Sequence, residues 1–383
     1  MTMRPRSFDP EAATETAVSD LLRRFDALTD PAPTTTTGTV ATTFTGPIES
    51  TFLVAASDAR DQIKAVADYV CDGVDDHVEI NAAWVAVQAL NIGGGRVVLS
   101  AGTFLITDGV VVNPDQGEPG VMIGAGRGAT EIKMSSGSDT SAVRVRAGST
   151  VRDFSIVVDS SATVTRGALE IDENDSAAFN ISIDTDDGVG IWCDGPRSRV
   201  EACDIITRID GTHGISVVPN ATGSKIINNY VIESRQHGIF IDGDAGGTGE
   251  HTQISGNTIL NPSRQTADTY DGIHMEGPFL ADHGPTITGN IIYRDGGNDF
   301  RDGILVAAAN VVDVTISGNT VGTGVGRWAI NMNGVRSIAT GNRLMGGIDV
   351  GGDDNHIEGN LVAIINDDSN GIVVGGDRNS IMD

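Results

Sequence analysis

Short apolar segments with the same internal pattern recur along most of the chain. Each begins with Gly-Ile or a close variant and continues with one variable and one apolar residue, as in GIWCDG, GISVVP, GIFIDG, GIHMEG and GILVAA. In an extended strand, successive side chains point to opposite sides. The pattern therefore predicts a strand with two apolar residues directed inward and two variable residues directed outward, repeated many times.

The spacing between these segments varies, although the segments themselves do not. Their first inward residues lie between 18 and 34 residues apart. Solenoid proteins keep a common strand core in every repeat and accept insertions of different length in their loops. The pattern therefore predicts a β-solenoid of about ten coils or more.

A second motif, in which a small residue precedes Gly-Asn and apolar residues surround them, recurs in the C-terminal half. Its copies are ISGNTIL, ITGNIIY, ISGNTVG, IATGNRL and IEGNLVA. Stacked coils lie about 4.8 Å apart, so one Asn per coil predicts a ladder of bonded amides at a left-handed turn. The predicted rungs are Asn229, Asn257, Asn290, Asn319, Asn342, Asn360 and Asn379, with Cys203 in the same position one coil earlier.

Two helices and a linker are predicted outside the repeats. Apolar residues at helical spacing predict a short amphipathic helix in residues 1–30, which we expect to serve anchoring or oligomerisation. Residues 31–50 are rich in Thr and Pro and predict an extended linker. Within the body, residues 51–383, Asp76 and Glu79 form a capping-box pattern for a helix at about 76–91.

The segment YVCDGVDDHVEINAAW, followed by GGGRVVLSAGTFLI, resembles the opening of the pectate-lyase-like superfamily of right-handed parallel β-helices. In that family a short helix caps the first coil, and a Gly-rich turn begins the winding. The resemblance implies an all-β fold, a right-handed parallel β-helix with a capping helix, and implies less about function. It also extends to viral tail spikes and fibres and to bacterial and archaeal surface proteins, whose shafts are commonly homotrimers.

The chain is strongly acidic, with a net charge of −27, and it contains 3 Lys, 22 Arg, 39 Asp and 13 Glu. Such a chain offers no basic stripe to nucleic acid or to an anionic membrane. No apolar window is long enough for membrane insertion, and the first residues do not form a secretory signal. The surplus of Asp over Lys suits a high-salt environment, or it reflects the codon usage of a high-GC genome.

The cysteines indicate neither a disulfide framework nor a zinc site. Cys71, Cys193 and Cys203 are odd in number and lack paired spacing. We therefore predict no cofactor and assign no metal ligands, while a structural Ca²⁺ ion is left open.

The outward positions of the middle Gly-Ile strands gather carboxylates and aromatic rings. The predicted catalytic residues are Asp194, Asp242 and Glu276. The predicted ligand-binding residues are Trp192, Phe240, His274, Tyr270, Asp271 and Asp172. Carboxylates accept hydrogen bonds from sugar hydroxyls, and aromatic rings pack on sugar rings, so this face predicts a carbohydrate groove. The alternative is a solvated acidic face without a ligand.

Coil spacing allows a glycoside hydrolase. Adjacent coils would place Asp242 and Glu276 about 5 Å apart, near the separation in retaining enzymes. Asp194 and Asp242 would lie about 9 to 10 Å apart, at the upper end for inverting enzymes. A lyase is less favoured, because no Lys falls on these columns and Arg144 and Arg146 lie several coils from the predicted acidic patch.

The sequence is therefore compatible with three functions. The first is a virion structural protein at the virion surface, either a tail spike or fibre or a capsid decoration. It would form a homotrimer, contact other virion proteins through residues 1–30 and contact host-surface polysaccharide. The second is a polysaccharide depolymerase that uses the paired carboxylates. The third is a cellular surface-layer protein or adhesin.

Overall fold

The computed structural model describes residues 50–90, 94–113, 119–243, 251–277, 284–296, 298–363 and 371–382, apart from the side chains of residues 209–211. Ile48–Asp383 form one compact unit. The predicted N-terminal helix and residues 31–49 of the predicted linker lie outside the described residues, so both stay predictions. The described chain begins as a strand at Ser50, one residue before the predicted start of the body.

The N-terminal part of the solenoid contains both helices that the structure describes and its longest strands. The elements are β1 Ser50–Ala55, α1 Asp61–Lys64, β2 Tyr69–Val70, α2 His77–Ala89, β3 Gly95–Leu99, β4 Gly102–Ile106, β5 Val110–Val112 and β6 Val121–Ile123. They continue as β7 Thr130–Met134, β8 Ser138–Val145, β9 Thr150–Val158, β10 Thr163–Ile171, β11 Ala177–Cys193, β12 Arg199–Glu201 and β13 Asp204–Gly211.

The remaining described elements are shorter strands. They are β14 Ile215–Val217, β15 Lys225–Ile227, β16 Tyr230–Ile232, β17 Ile239–Asp242, β18 Gln253–Ser255, β19 Thr258–Leu260, β20 Ile273–Glu276, β21 Thr286–Thr288, β22 Ile291–Tyr293 and β23 Phe300–Val306. They end with β24 Thr315–Ser317, β25 Thr320–Val321, β26 Val325–Met332, β27 Ile338–Thr340, β28 Arg343–Leu344, β29 Ile348–Val350, β30 His356–Glu358, β31 Leu361–Val362, β32 Ile372–Val374 and β33 Ser380–Met382.

The strands stack in parallel to form three faces. Face one passes through β12, β15, β18, β21, β24, β27, β30 and β33, and face two passes through β13, β16, β19, β22, β25, β28 and β31. Face three carries the Gly-Ile segments and passes through β10, the end of β11, β14, β17, β20, β23, β26, β29 and β32. This arrangement confirms the predicted fold class, a parallel β-helix of about ten coils.

The inward columns predicted from the Gly-Ile segments form the core. Ile215 pairs with Ile239, which pairs with Ile273, and all three side chains are fully buried. Full burial of one such side chain stabilises the fold by about 1.5 to 3 kcal/mol. The Gly before each Ile has a steric reason: a Cβ on Gly238 would lie 2.6 Å from the carbonyl oxygen of Gly272 and would also collide with Ile259.

Helix α2 covers the first coil, as the sequence predicts. It packs against β1, β3 and β5 through Ile80, Ala83, Trp84 and Val87, which are buried. The capping-box prediction is wrong, because Asp76 precedes the helix without capping it through its side chain. Its buried carboxylate instead accepts hydrogen bonds from the backbone N–H groups of Gly73 and Leu105, both at 2.8 Å. The carboxylate therefore ties the preceding loop to β4.

The asparagine ladder is present at the corner between faces one and two. Each rung accepts two hydrogen bonds from the rung before it: the Oδ1 of Asn290 lies 2.9 Å from both the backbone N and the Nδ2 of Asn257. The ladder runs on through Asn319, Asn342 and Asn360. At its start, Cys203 occupies the rung position and donates its backbone N–H to Asn229 at 3.0 Å. The buried thiol therefore belongs to the fold.

Two details of the ladder differ from the prediction. The left-handed residue is the one before the rung, with φ of +67° at Gly256 and +55° at Asn228, so the rung itself needs no unusual backbone. Asn379 belongs to a second stack at the entrance to face one, where its Oδ1 accepts the N–H of Asn355 at 2.7 Å. Asn355 in turn accepts the N–H of Ser337 at 2.8 Å. Sequence spacing alone did not separate the two corners.

Candidate functional site

Five rings form a continuous cluster on face three. The rings of His213 and Phe240 stack with centroids 4.5 Å apart, and the rings of His237 and His274 lie 4.3 Å apart. Tyr270 meets His237 edge-on at 5.2 Å. The rings come from three consecutive coils, so coil stacking rather than proximity in sequence brings them together.

The repeat explains the positions of these rings. His213 and His237 each lie two residues before the first inward Ile, while Phe240 and His274 occupy the first outward position after it. Strand pairing places Phe240 beside His274. The two predicted ligand-binding rings on the strands therefore lie side by side, and His213 and His237 join them from the turns before the strands, a grouping that the prediction did not contain.

Asp271 is the centre of the polar part of the site. Its Oδ2 lies 2.6 Å from Nδ1 of His274. Arg301 donates to both of its oxygens, at 3.0 Å and 2.7 Å, and the backbone N–H of Asp302 donates at 3.0 Å. The residue is fully buried. A ligand therefore has no access to the Asp271 carboxylate, whose role is to hold His274 and Arg301 in place.

His274 has one nitrogen in use and one without a hydrogen-bond partner. Because the Asp271 carboxylate accepts from Nδ1, that nitrogen carries a proton. Nε2 is buried without a hydrogen-bond partner among the described residues, and it lies 3.7 Å from Oε2 of Glu276. A buried polar atom without a partner is costly, so Nε2 marks an unsatisfied polar position beside the Glu276 carboxylate.

The neighbouring histidines are held neutral. The backbone N–H of Asp271 donates to Nδ1 of His237 at 2.9 Å, which requires that nitrogen to be unprotonated. Burial lowers the pKa of His237 well below its usual range. Burial also lowers the pKa of His213, to about 4, with a further contribution from His274. The stacked rings are therefore uncharged at neutral pH.

An ion-pair ladder extends the site towards the C-terminal coils. Arg327 binds Asp302 through two hydrogen bonds, one of them 3.0 Å long. Asp302 also accepts the N–H of Trp328 at 3.1 Å. Arg301 and Arg327 each precede a face-three segment and reach back one coil to the Asp there. The sequence carried this signal in the RDGI and RWAI segments, but we did not assign a site role to it.

Asp172 and Asp194 belong to a separate cluster on the earlier coils. The cluster surrounds Glu170, which is fully buried and accepts from Ser141 and Arg144, each at 2.8 Å. Arg166 also binds Glu170, and its Nη1 lies 3.4 Å from Asp194 and 3.7 Å from Asp172.

Arginines balance the negative charge of this carboxylate cluster. The sequence analysis placed Arg144 and Arg146 away from the acidic patch, yet Arg146 donates to Asp172 at 3.1 Å. Asp172 and Asp194 retain about a fifth of their side-chain exposure. These two carboxylates are thus structural partners of arginines in this coil group. On face three, Ser216 lies between Trp192 of this group and Phe240 of the ring cluster.

Asp242 and Glu276 lie beside the ring cluster, in register on adjacent strands of face three. The Glu276 side chain is 60 % exposed, whereas His274 next to it is 7 % exposed. Trp192 is half-buried on the earlier coil group and pairs in register with Glu170 and Ser216. The predicted residues therefore divide between the two clusters, with Asp242, Glu276, Phe240, His274, Tyr270 and Asp271 in one and Asp172, Asp194 and Trp192 in the other.

Metal binding has weak support at the clusters that offer three ligand atoms. Among the described residues, three groups are close enough to share an ion: His237, Asp271 and His274; Glu170, Asp172 and Asp194; and Cys71, Asp76 and Glu79. In the last group both oxygens of Asp76 accept backbone N–H groups. In the first group the hydrogen bonds of Arg301, Asp302 and His274 occupy both oxygens of Asp271. In the second group three arginines lie against the carboxylates. Cations of the protein thus occupy the positions that a metal ion would need.

Comparison with known proteins supports the fold. No protein-family profile and no curated protein matches the sequence. Among solved structures, Dettilon tailspike protein matches at 18% identity and a TM-score of 0.50, over 75% of this chain and 65% of that chain. An alginate lyase in complex with a trisaccharide matches at 12% identity and a TM-score of 0.50, over 86% of this chain and 84% of that chain.

A catalytic domain of an alpha-1,3-glucanase in complex with nigerose is also similar, at 15% identity and a TM-score of 0.49, over 78% of this chain and 67% of that chain. This chain spans slightly less than two thirds of the tailspike's length. The shared feature at these identities is the fold. The parallel β-helix fold that the resemblance implied is therefore confirmed. Separately, none of the described helices has the length and apolar character needed to cross a membrane.

Proposed function

We propose that this chain is a virion attachment protein whose face three binds host-surface polysaccharide. The observation that carries the proposal is the ring cluster of His213, His237, Phe240, Tyr270 and His274, stacked across three coils beside two accessible carboxylates. A linear array of rings at coil spacing suits an extended polymer better than a small compact ligand.

The chemistry of the site matches the surface of a sugar ring. Phe240 and Tyr270 are half-buried, and the exposed parts of their rings suit the apolar face of a pyranose. The carboxylates of Asp242 and Glu276 accept hydrogen bonds from hydroxyl groups.

The comparisons add support of a different kind. The tailspike is named for its place on a virus, and the alginate lyase structure contains a trisaccharide. A parallel β-helix that presents a face for saccharides is therefore a known use of the fold. For this chain, the virion location, the homotrimer and the contact of residues 1–30 with other virion proteins stay parts of the proposal.

Glycan binding is tested with purified protein and immobilised polysaccharides by biolayer interferometry. We expect Phe240→Ala to weaken binding at least tenfold, because one sugar-facing ring is removed from the array. Phe179→Ala is the matched control: Phe179 is also half-buried, but it packs under Arg199 on face one. Equal affinity of the two variants would contradict the assignment of face three.

Virion location and assembly are tested separately. Antibodies raised against the purified chain should label intact particles in electron microscopy. Sedimentation equilibrium should give three times the 39.8 kDa mass of the chain. Particles that the antibodies do not label would contradict the proposed virion location. A monomeric mass in solution would contradict only the proposed homotrimer.

A depolymerase is the second function that a specific observation favours. Asp242 and Glu276 are register partners on adjacent coils, at a strand spacing of about 4.8 Å. This is near the separation of about 5 to 5.5 Å between the two carboxylates of retaining glycosidases. A hydrolase would use one as the nucleophile and the other as the acid and base. Reducing-end release by the wild type, abolished in both Asp242→Asn and Glu276→Gln, would establish this activity.

A further inference from the structure

The outer surface of face two is apolar along its middle coils. The central residues of its strands, such as Val231, Ile259 and Ile292, point inward and are fully buried. The residues on either side of them therefore point outward. From β13 to β25 these outward residues form a surface that we call the apolar strip: Ile206, Tyr230, Ile232, Thr258, Leu260, Ile291, Tyr293 and Thr320. None of the eight side chains is charged.

The apolar strip is accessible and has a polar border. Ile291 is 45% exposed, and the other seven side chains are half-buried. The charged residues around the strip include Asp204, which pairs with Arg127, at one end, Arg343 at the other end, and Asp295 in the turn after β22. Parallel sheets are usually covered on both faces, and a contiguous apolar surface with a polar rim is typical of a protein–protein contact.

Face one differs from face two in chemistry, although its middle coils are also uncharged on the outside. From β18 to β27 its outward residues are Gln253, Ser255, Thr286, Thr288, Thr315, Ser317, Ile338 and Thr340. All of these except Ile338 are polar, and removing hydroxyl and amide groups from water without new hydrogen bonds is costly. Burial of apolar side chains is favourable instead. Of these two uncharged surfaces, the apolar strip therefore gains more from being covered.

We infer that the apolar strip binds the apolar strip of a second copy of this chain. Each copy carries a net charge of −27, so two copies repel one another unless the surfaces in contact are uncharged, as the strip is. A basic partner would instead be held by acidic side chains, which the strip lacks.

The period of the strip also favours a second copy. Its rows of side chains follow the coil spacing of about 4.8 Å, and a copy of the chain repeats that spacing, so the rows of one copy fit between the rows of the other along the whole strip. The strip has two columns, one containing Tyr230, Thr258, Ile291 and Thr320 and the other containing Ile206, Ile232, Leu260 and Tyr293. With one column for each neighbour, a copy can contact two others in a closed ring. This inference rests on the homotrimer of the proposed function and names the surface that would hold it together.

The first test places a charge in the strip and measures the mass of the full chain by sedimentation velocity over a range of concentrations. Ile291→Asp should lower the association constant by more than about a hundredfold, because association would bury a carboxylate without a partner. Ile338→Asp is the matched control, since Ile338 is also an outward isoleucine, 39% exposed, but lies on face one. It should associate as the wild type does. Circular dichroism checks that both variants are folded.

Cross-linking provides a second test that does not depend on a disruptive substitution. The three native thiols are buried, so Thr258→Cys places an accessible thiol in the strip, and Thr315→Cys places one at the equivalent position on face one. A bismaleimide reagent should join copies of Thr258→Cys and leave Thr315→Cys as single chains.

Three results would overturn the inference: a wild-type chain that is monomeric at every concentration, equal association of Ile291→Asp and Ile338→Asp, or equal cross-linking of the two cysteine variants. A homotrimer that Ile291→Asp does not weaken would leave the proposed assembly intact and exclude only this surface. Glycan binding is judged separately, by the Phe240→Ala variant.

Discussion

The Asn290→Ala substitution tests the asparagine ladder at its centre. The Asn290 side chain is fully buried and makes four hydrogen bonds. Its Oδ1 accepts the backbone N–H and the Nδ2–H of Asn257, each at 2.9 Å. Its Nδ2 donates to the carbonyl of Ile254 at 3.0 Å and to Oδ1 of Asn319 at 2.9 Å. Alanine removes all four at once.

The cost follows from the groups that are left behind. The buried N–H of Asn257 loses its acceptor, and the carbonyl of Ile254 loses this donor. A buried N–H left unsatisfied costs about 1 to 3 kcal/mol. The carbonyl of Ile254 adds less, because Ile254 stays in the strand ladder with Ile287. The Nδ2 of Asn257 adds little, because it keeps a hydrogen bond of 2.8 Å to Ile226.

Asn360→Ala is the matched control, since Asn360 is half-buried at the last rung of the described ladder. Water can replace its lost hydrogen bonds, so we expect a loss of about 1 kcal/mol. Denaturant unfolding measures both losses, and hydrogen exchange reports the amide of Asn257 directly. Equal losses in the two variants, or an Asn257 amide that stays protected in Asn290→Ala, would refute the energetic role of the ladder.

Three further predictions concern stability and reactivity. His213 should contribute about 3 kcal/mol to the fall in the free energy of unfolding between pH 6.5 and 4, because its pKa is about 4 in the folded state and the unfolded chain takes up the proton first. Buried His237, whose pKa is also lowered, adds to the total fall. His213→Phe should therefore reduce the fall in pH-dependent denaturation, and an unchanged profile would contradict the pKa shift of His213. Gly238→Ala should lower the free energy of unfolding by about 1 to 3 kcal/mol, because the Cβ of the alanine would collide with the carbonyl of Gly272. An unchanged free energy of unfolding in a denaturant titration would contradict this close packing. Iodoacetamide should not label the three buried thiols of the native protein, Cys71, Cys193 and Cys203. Burial raises the pKa of each thiol, that of Cys203 to about 12, so little reactive thiolate is present. Rapid labelling of the native protein would contradict their burial.

The sequence was sufficient to predict the solenoid, because every coil repeats the same local requirements. An apolar residue at alternate positions, a Gly with no room for a Cβ and a Gly-Asn turn can each be recognised without knowing the distant contacts. Strand pairing between identical motifs then sets the register, which is why Asp242 and Glu276 are adjacent, as predicted. The helix at His77–Ala89 was predicted from the Asp76 and Glu79 pattern, although Asp76 does not cap the helix through its side chain.

The tertiary structure decided which outward residues are accessible. Alternation along a strand places Glu170 and His274 outside the core, yet arginines and rings from neighbouring coils cover both. The pairing of Arg301 with Asp271 also depends on stacking, because the two residues are 30 positions apart.

A hollow of about 380 Å³ between faces two and three was equally beyond the sequence. Of its lining residues, Arg208 lies in β13, whereas Arg235 and Arg264 lie in connections of different length, and no repeated motif relates the three. Local sequence patterns determine strands and turns, because the conformation of a strand or turn depends mainly on residues that are neighbours in the sequence. A binding surface depends on the distances between loops, and only the winding of the coils sets those distances.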